Sequence, residues 1–256
     1  MDERKKYWDE QYMDYWRSRV NEAGVGKSNI IKEDSCTEDI SIYKNIFDEY
    51  GLNKGNILDV GCAWGRMFNL FHKFDLDISG VDISTSMIKE AEKEWRGVDS
   101  IKTLKEAAAE SLPFDDQFFD NLVCLAVFDA TFQEQAITEF LRVTKPGAKI
   151  YLTGKNSNYF SSDAEAFAAE KGAREKGHPN YFTHTDNLLE QLTKQGHKII
   201  GHYFFPKRGD FALFNHHSDI SSPFYEYLLI VERGDSYEKL PIISDKYSST
   251  FKAINK

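Results

Sequence analysis

Two glycines and two acids carry the most legible chemistry in this chain. The run Ile57-Leu58-Asp59-Val60-Gly61-Cys62-Ala63-Trp64-Gly65-Arg66 reads as a buried strand entering a tight turn and then a helix. Gly61 and Gly65 give the backbone room where a side chain would meet a ligand or strain the turn. Seventeen residues beyond Gly65, the apolar run Ile78-Ser79-Gly80-Val81-Asp82 ends in a carboxylate. An acid at the end of the strand after such a turn can accept both hydroxyls of a ribose. The turn lacks the three-glycine pyrophosphate fingerprint, which favours a cofactor without a diphosphate over NAD or FAD.

These residues need a sheet to hold them, and the sequence pattern predicts one. Helical periodicity over Ile40 to Tyr50 stops at Gly51. Strands are then expected near 56–60, 77–82, 101–105 and 119–127, with helices at 64–73, 85–96 and 132–144. Lys145-Pro146-Gly147 reads as a stop and turn before the strand at 149–153. Such alternation implies right-handed βαβ units and a parallel sheet covered on both faces. Residues 154–183 break the rhythm with a helix at 163–173 and a turn-rich stretch around Lys176 to Asn180. A helix at 185–195, a strand at 197–205, a polar loop at 206–222 and a strand at 224–231 follow. The last two strands, with no helix expected between them, predict an antiparallel hairpin at the sheet edge. The tail beyond Glu232 shows no periodicity.

Composition narrows the partners. At 256 residues the chain fits one α/β domain with an insertion. A net charge of -9 argues against a broad phosphate-binding face, and hence against nucleic acid. Cys36, Cys62 and Cys124 have no metal-binding spacing and suit a reducing compartment. No His-x-His, Cys-x-x-Cys or His-Glu-x-x-His set is present, so no metal is expected. The charged start and the lack of any 18-residue apolar run predict a soluble, cytoplasmic protein without a membrane partner, as monomer or homodimer. Tyr7, Trp8, Tyr12, Tyr15 and Trp16 fall on one face of a helix expected over about 5–20, which would dock by that stripe and close over the site, with Arg17 and Arg19 beside it.

The chain resembles the class I S-adenosylmethionine-dependent methyltransferases over about residues 42–231. The likeness rests on the order and spacing of Asp59-Val60-Gly61-Cys62-Ala63-Trp64-Gly65, Asp82, Ala109-Glu110-Ser111-Leu112-Pro113-Phe114, Phe119-Asp120 and Leu141-Arg142-Val143-Thr144-Lys145-Pro146-Gly147. It implies an α/β, Rossmann-like, seven-stranded, mostly parallel sheet with an antiparallel last strand and helices on both faces. It also implies S-adenosyl-L-methionine as cofactor. In that family Gly61, Cys62, Ala63 and Gly65 would border the methionyl end, and Asp59 would help hold its ammonium. Asp82 would take the ribose, Ile83 would pack on adenine, Ala109 and Glu110 would line its other side, and Ala126 would follow the fourth strand. Ala108 stands where the family often has an acid for the adenine amino group. The implied division is an aromatic lid and linker at 1–39, a core at 40–235 with a substrate-side insertion at 154–184, and a tail at 236–256.

The acceptor must approach the loops after the fourth and fifth strands, Phe128 to Phe132 and Gly154 to Phe160, whose polar residues suit a small polar molecule. Candidate proton acceptors are His178, His184 and Asp129, with His202 a weaker one and His197 expected to be solvated. His216-His217 is a further possible substrate clamp. The reading is methyl transfer to a hydroxyl or amine of a sugar, sugar nucleotide or phosphorylated amine, with a loose likeness to enzymes of polysaccharide biosynthesis. The alternatives are a nicotinamide-dependent oxidoreductase and a non-catalytic cofactor-binding regulator.

Overall fold

The computed structural model describes residues 3–12 and 38–255. A seven-stranded sheet runs in the order β3-β2-β1-β4-β5-β8-β7. Its strands are β1 (Asn56–Val60), β2 (Asp77–Asp82), β3 (Ile101–Glu106), β4 (Phe119–Cys124), β5 (Thr144–Lys155), β7 (Lys198–Phe205) and β8 (Glu226–Glu232). The β1–β2, β2–β3, β1–β4 and β4–β5 ladders are parallel. Only β8 runs against its neighbours, β5 on one side and β7 on the other. The terminal pair is therefore the expected hairpin, with its second strand folded inward and β7 at the edge.

Both sheet faces are covered, as a parallel sheet requires. Successive β1 residues serve opposite cores: Ile57 packs with Phe47, Phe68 and Tyr151, and Leu58 with Phe140, Leu141 and Leu188. The helix Thr85–Glu94 starts where the Ser84 hydroxyl accepts the Met87 N–H. The helix Gln133–Val143 ends at Val143, and β5 begins at Thr144. Lys145-Pro146-Gly147 is thus an excursion inside the β4–β5 ladder, where the register passes from Phe119↔Thr144 to Asn121↔Lys149. Gly147 takes φ +77° there.

The helix after the glycine turn covers Phe68–Lys73, four residues later than its expected start, because the chain keeps turning through Met67. The insertion forms the helix Ala164–Glu175 and a short strand β6 (Phe182–Thr183). The tail, which showed no pattern in the sequence, docks on this insertion. Its strand β9 (Ser244–Asp245) pairs with β6, and a helix at Ser249–Ile254 follows. The fully buried Glu170 accepts from the Tyr159 hydroxyl and from the N–H and hydroxyl of Ser248, joining helix and tail.

The expected N-terminal helix is an α-helical turn at Glu3–Lys6 continued by a π-helical stretch at Tyr7–Tyr12. Tyr15, Trp16, Arg17 and Arg19, with Cys36, lie outside the described residues. Among the described residues no helix is long and apolar enough to cross a membrane.

Candidate active site

The strand order reverses between β1 and β4, and a cavity opens beyond their carboxyl ends, where ligands bind in open α/β sheets. It is lined by Asp59, Gly61, Cys62, Ala63, Asp82, Ile83, Ala109, Glu110 and Ala126, among others. Nine of the ten residues anticipated for the cofactor therefore meet in one place. Gly65 does not line the cavity. It takes φ +85°, and a methyl placed on it would overlap Phe68 and the Trp95 indole. That indole N–H donates to the Trp64 carbonyl at 3.0 Å and fixes the turn. Gly61 takes φ +77°, and a methyl there would overlap both Val127 methyls. The two glycines thus serve turn geometry and protein packing.

Two carboxylates dominate the cavity. Asp82 receives the N–H of Ala63 at 3.0 Å and of Ser84 at 2.8 Å, one on each oxygen, so each keeps a lone pair for a ligand hydroxyl. Asp59 is 4% exposed, and its Oδ2 has no hydrogen-bond partner among the described residues. Burial, reinforced by the Asp82 charge, pushes the Asp59 carboxyl up to about 8. Burial likewise raises Asp82 to about 6 against the two N–H bonds that oppose it. An orphaned buried carboxylate beside a carboxylate with free lone pairs fits a ligand with one ammonium and a vicinal diol. Buried Cys62 has its thiol raised by burial and by the same two acids, which makes it packing material in this wall.

The segment 3–12 lies across this cavity. Arg4 and Trp8 join the lining, and the Arg4 guanidinium meets Glu110 at 2.5 Å. Glu110 also accepts the Phe132 N–H, so its carboxylate clasps this segment. Lys5 reaches Glu106 at 2.7 Å and the Ile83 carbonyl at 3.2 Å, and Asp9 accepts from the Ser84 hydroxyl at 2.7 Å. These polar contacts stand beside packing of Tyr7 and Trp8, two members of the anticipated aromatic stripe, on His178. The polar contacts arise where the segment meets Ile83 to Thr85 and Glu106 to Glu110.

A second cavity of about 370 Å³ adjoins the first, sharing Tyr43 and Ala126 as common wall. Ala126 has φ +59° and donates its N–H to Thr153 Oγ1 at 2.6 Å, which bends the chain away from β4 between the two spaces. Asp129, Lys155, Asn180, Arg208, Tyr225 and Glu226 line the second cavity. Lys155 Nζ lies 2.6 Å from Asp129 and donates to Asn180 Oδ1 at 3.2 Å. The nearby carboxylates, Asp129 foremost, hold Lys155 protonated against its burial.

The histidines are placed differently from expectation. His178 packs edge-on against Tyr7 and Trp8, outside both cavity linings, and burial pushes its pKa down to about 4. His184 stands at the N-cap position of the helix Thr185–Lys194 without a side-chain capping bond, and its Nε2 sits 3.3 Å from Asp245 of the tail, again outside both linings. His197 is buried, where solvation was anticipated, and its Nδ1 accepts the Gly234 N–H. His216 and His217 pack on Tyr203 and Phe204 and line neither space. Sequence reasoning missed Tyr43, Arg208, Tyr225 and Glu226, which reach the cavity from a preceding helix and the last hairpin. Among the described residues no group of His, Cys, Asp or Glu is arranged to hold a metal ion.

A Rossmann-like sheet with a reversed last strand, a glycine turn after β1 and an acid closing β2 defines a nucleotide-cofactor enzyme. Residues 58–152, spanning β1 to most of β5, match the family described as "Methyltransferase domain". The chain is 27% identical over 143 residues to a phosphatidylethanolamine N-methyltransferase of Cereibacter sphaeroides, covering 54% of this chain and 68% of that one. It is 25% identical over 178 residues to a ubiquinone biosynthesis O-methyltransferase of Coxiella burnetii, covering 66% and 76%. In fold it is similar to a geranyl diphosphate C-methyltransferase of Streptomyces coelicolor, solved with S-adenosyl-L-homocysteine. That match has a TM-score of 0.64 and 11% identity, and covers 91% of this chain and 97% of that one. The chain carries a methyltransferase domain over residues 58–152, and S-adenosyl-L-methionine is its cofactor.

Cofactor affinity should rise with pH. Below about 6 both acids carry protons, and between about 6 and about 8 Asp59 still holds one. Binding an ammonium beside Asp59 must expel that proton, so log Kd should fall by up to about one per pH unit across this window and level off above it. Titration calorimetry at pH 6.0, 7.0 and 8.5 checks this, and equal affinities would refute the proton release.

Proposed function

We propose that this methyltransferase acts on a hydroxyl or amine of a small polar metabolite, such as a sugar, a sugar nucleotide or a phosphorylated amine, held in the second cavity. The observation carrying this reading is that a cavity lined by Asp129, Lys155, Arg208 and Glu226 shares a wall with the cofactor space. A cavity of that polarity suits a small molecule with several hydrogen-bonding groups. The relatives' names span nitrogen, oxygen and carbon acceptors, so the reading rests on this chain's own residues.

In this reading Asp59 holds the cofactor ammonium and Asp82 its ribose, while Ile83, Ala109 and the Glu110 clasp border the adenine. Cys62, Ala63 and Trp64 wall the methionyl end. Bound S-adenosylmethionine supplies a methyl group on a sulfonium: the bond to the acceptor atom forms as the carbon–sulfur bond breaks, its electron pair staying on sulfur. The Asp129–Lys155 pair orients the acceptor, and Tyr43 borders both spaces. Neutral His178 serves the closed segment by packing on Tyr7 and Trp8, and His184 serves the tail. Orientation and exclusion of water can supply much of the rate. The enzyme is proposed to work in the cytoplasm, as monomer or homodimer, without nucleic acid.

Incubation with labelled S-adenosylmethionine and a panel of small polar metabolites tests this. Label appearing only in lipid, quinone or macromolecule would overturn it. We also propose residues 3–12 as part of a lid. Amides of this segment should exchange more slowly once S-adenosylhomocysteine is bound, and unchanged exchange would show a fixed wall instead.

A further inference from the structure

Glu226 opens β8 directly across from Lys155, the last residue of β5, so the two side chains share one face of the sheet. Both line the second cavity, as do Asp129 on the other side of Lys155 and Arg208. Lys155 spends its charge on Asp129 at 2.6 Å and on Asn180. Glu226 is half-buried, yet it has no hydrogen bond or ion pair among the described residues. The interior of the cavity therefore holds two carboxyl groups for one ammonium. Arg208 stands exposed at its border, its side chain likewise without an ion-pair partner among the described residues. One unmatched acid inside and one unmatched cation at the border describe the charges of the missing occupant.

We propose that Glu226 and Arg208 make this cavity selective for a metabolite that carries an amine close to an anionic group, the amine being the atom methylated. This rests on the reading of the second cavity as the acceptor site and selects nitrogen from the two acceptor atoms that reading allows. A hydroxyl would leave the half-buried Glu226 carboxylate uncompensated, whereas an ammonium satisfies it with a charge-assisted hydrogen bond. Arg208 matches a carboxylate or a phosphate, since its planar fork binds either.

Glu226 also has the position for the proton step. It lies close enough to Tyr43, which lines both cavities, that its charge adds to burial in keeping that phenol protonated. An arriving ammonium is unreactive until one N–H bond breaks. The proton passes to a Glu226 carboxylate oxygen and the electron pair stays on nitrogen, free to attack the methyl carbon. The carboxylic acid returns its proton to water when the product leaves. Burial raises the Glu226 carboxyl above the usual range, Lys155 and Arg208 work against that, and Asp129 and Asp163 add to it. A carboxylate so raised takes an amine proton more readily than an exposed one.

The test uses the full chain loaded with S-adenosylhomocysteine and reads binding by calorimetry. O-Phosphoethanolamine and β-alanine are compared with their hydroxyl counterparts, 2-hydroxyethyl phosphate and 3-hydroxypropionate. The amines should bind about tenfold or more tightly than the hydroxyl compounds. Glu226→Gln, which keeps the shape, should erase most of that preference, and Arg208→Gln should weaken all four probes alike. Labelled methyl should appear on nitrogen of a bound amine and fall with Glu226→Gln. Equal binding of amine and hydroxyl partners, a preference that survives Glu226→Gln, or failure of both amines to bind a protein that holds S-adenosylhomocysteine would overturn the proposal. If metabolites without an amine are methylated in this cavity, the acceptor-site reading stands and the amine proposal falls. If Asp129→Asn and Glu226→Gln both leave turnover on every acceptor unchanged, the acceptor-site reading itself falls.

Discussion

Gly61→Val is expected to abolish measurable cofactor binding. The residue holds φ +77°, which costs a side-chain-bearing residue about 1–2 kcal/mol. Its added methyls would also occupy the space of Val127, and such overpacking costs about 1–3 kcal/mol more. The strain falls on the turn whose N–H groups at Gly61 and Cys62 bond the Val81 carbonyl and whose Ala63 N–H bonds Asp82. The two carboxylates would then lose their alignment. Calorimetry against S-adenosylhomocysteine, with circular dichroism to establish folding, is the measurement. Pairing Gly61→Ala with Val127→Ala separates the causes, because the second change removes the overlap and leaves the dihedral strain. Full recovery of affinity in that pair would show that φ at this position is unimportant.

Asp129→Asn should lower turnover by about 10²-fold or more, since a small misplacement of the acceptor relative to the methyl has that effect. Cofactor affinity should change little, because Asp129 lines the second cavity alone. The variant also removes the partner of a largely buried ammonium, with the two side chains 21% and 11% exposed. Breaking such a pair costs about 3–5 kcal/mol when nothing replaces it, and the Asn180 oxygen on Lys155 offsets part of that loss. Turnover at wild-type level in a folded variant would remove Asp129 from acceptor handling. A joint loss of kcat and cofactor affinity would place it at the first cavity instead.

The lining of the first cavity was legible in the sequence because its determinants are local. Asp59, Gly61 and Ala63 follow one strand, Asp82 and Ile83 the next, and each is fixed by its own strand end. Ala109, Glu110 and Ala126 follow the next two loops by the same logic. What the sequence pattern concealed depends on residues far apart along the chain. Glu110 reads as an adenine neighbour until Arg4, 106 positions earlier, is seen to hold it. His184 reads as a base in a turn-rich stretch until Asp245 of the tail is seen beside it. Glu226 reads as one polar residue opening an apolar strand, and only the β5–β8 register sets it across from Lys155. The tail lacked a period because a two-residue strand and a short helix contribute too few residues to show one.

The two cavities draw on different lengths of chain. Every described residue lining the first cavity lies between Arg4 and Thr131, whereas the second cavity requires Arg208 and the hairpin as far as Tyr227. Domains emerge from the ribosome amino terminus first. During synthesis the residues of the first cavity therefore emerge before the hairpin that completes the second. Under the proposed roles of the two cavities, changes after Gly154 recast which molecule is methylated without disturbing how the donor is held.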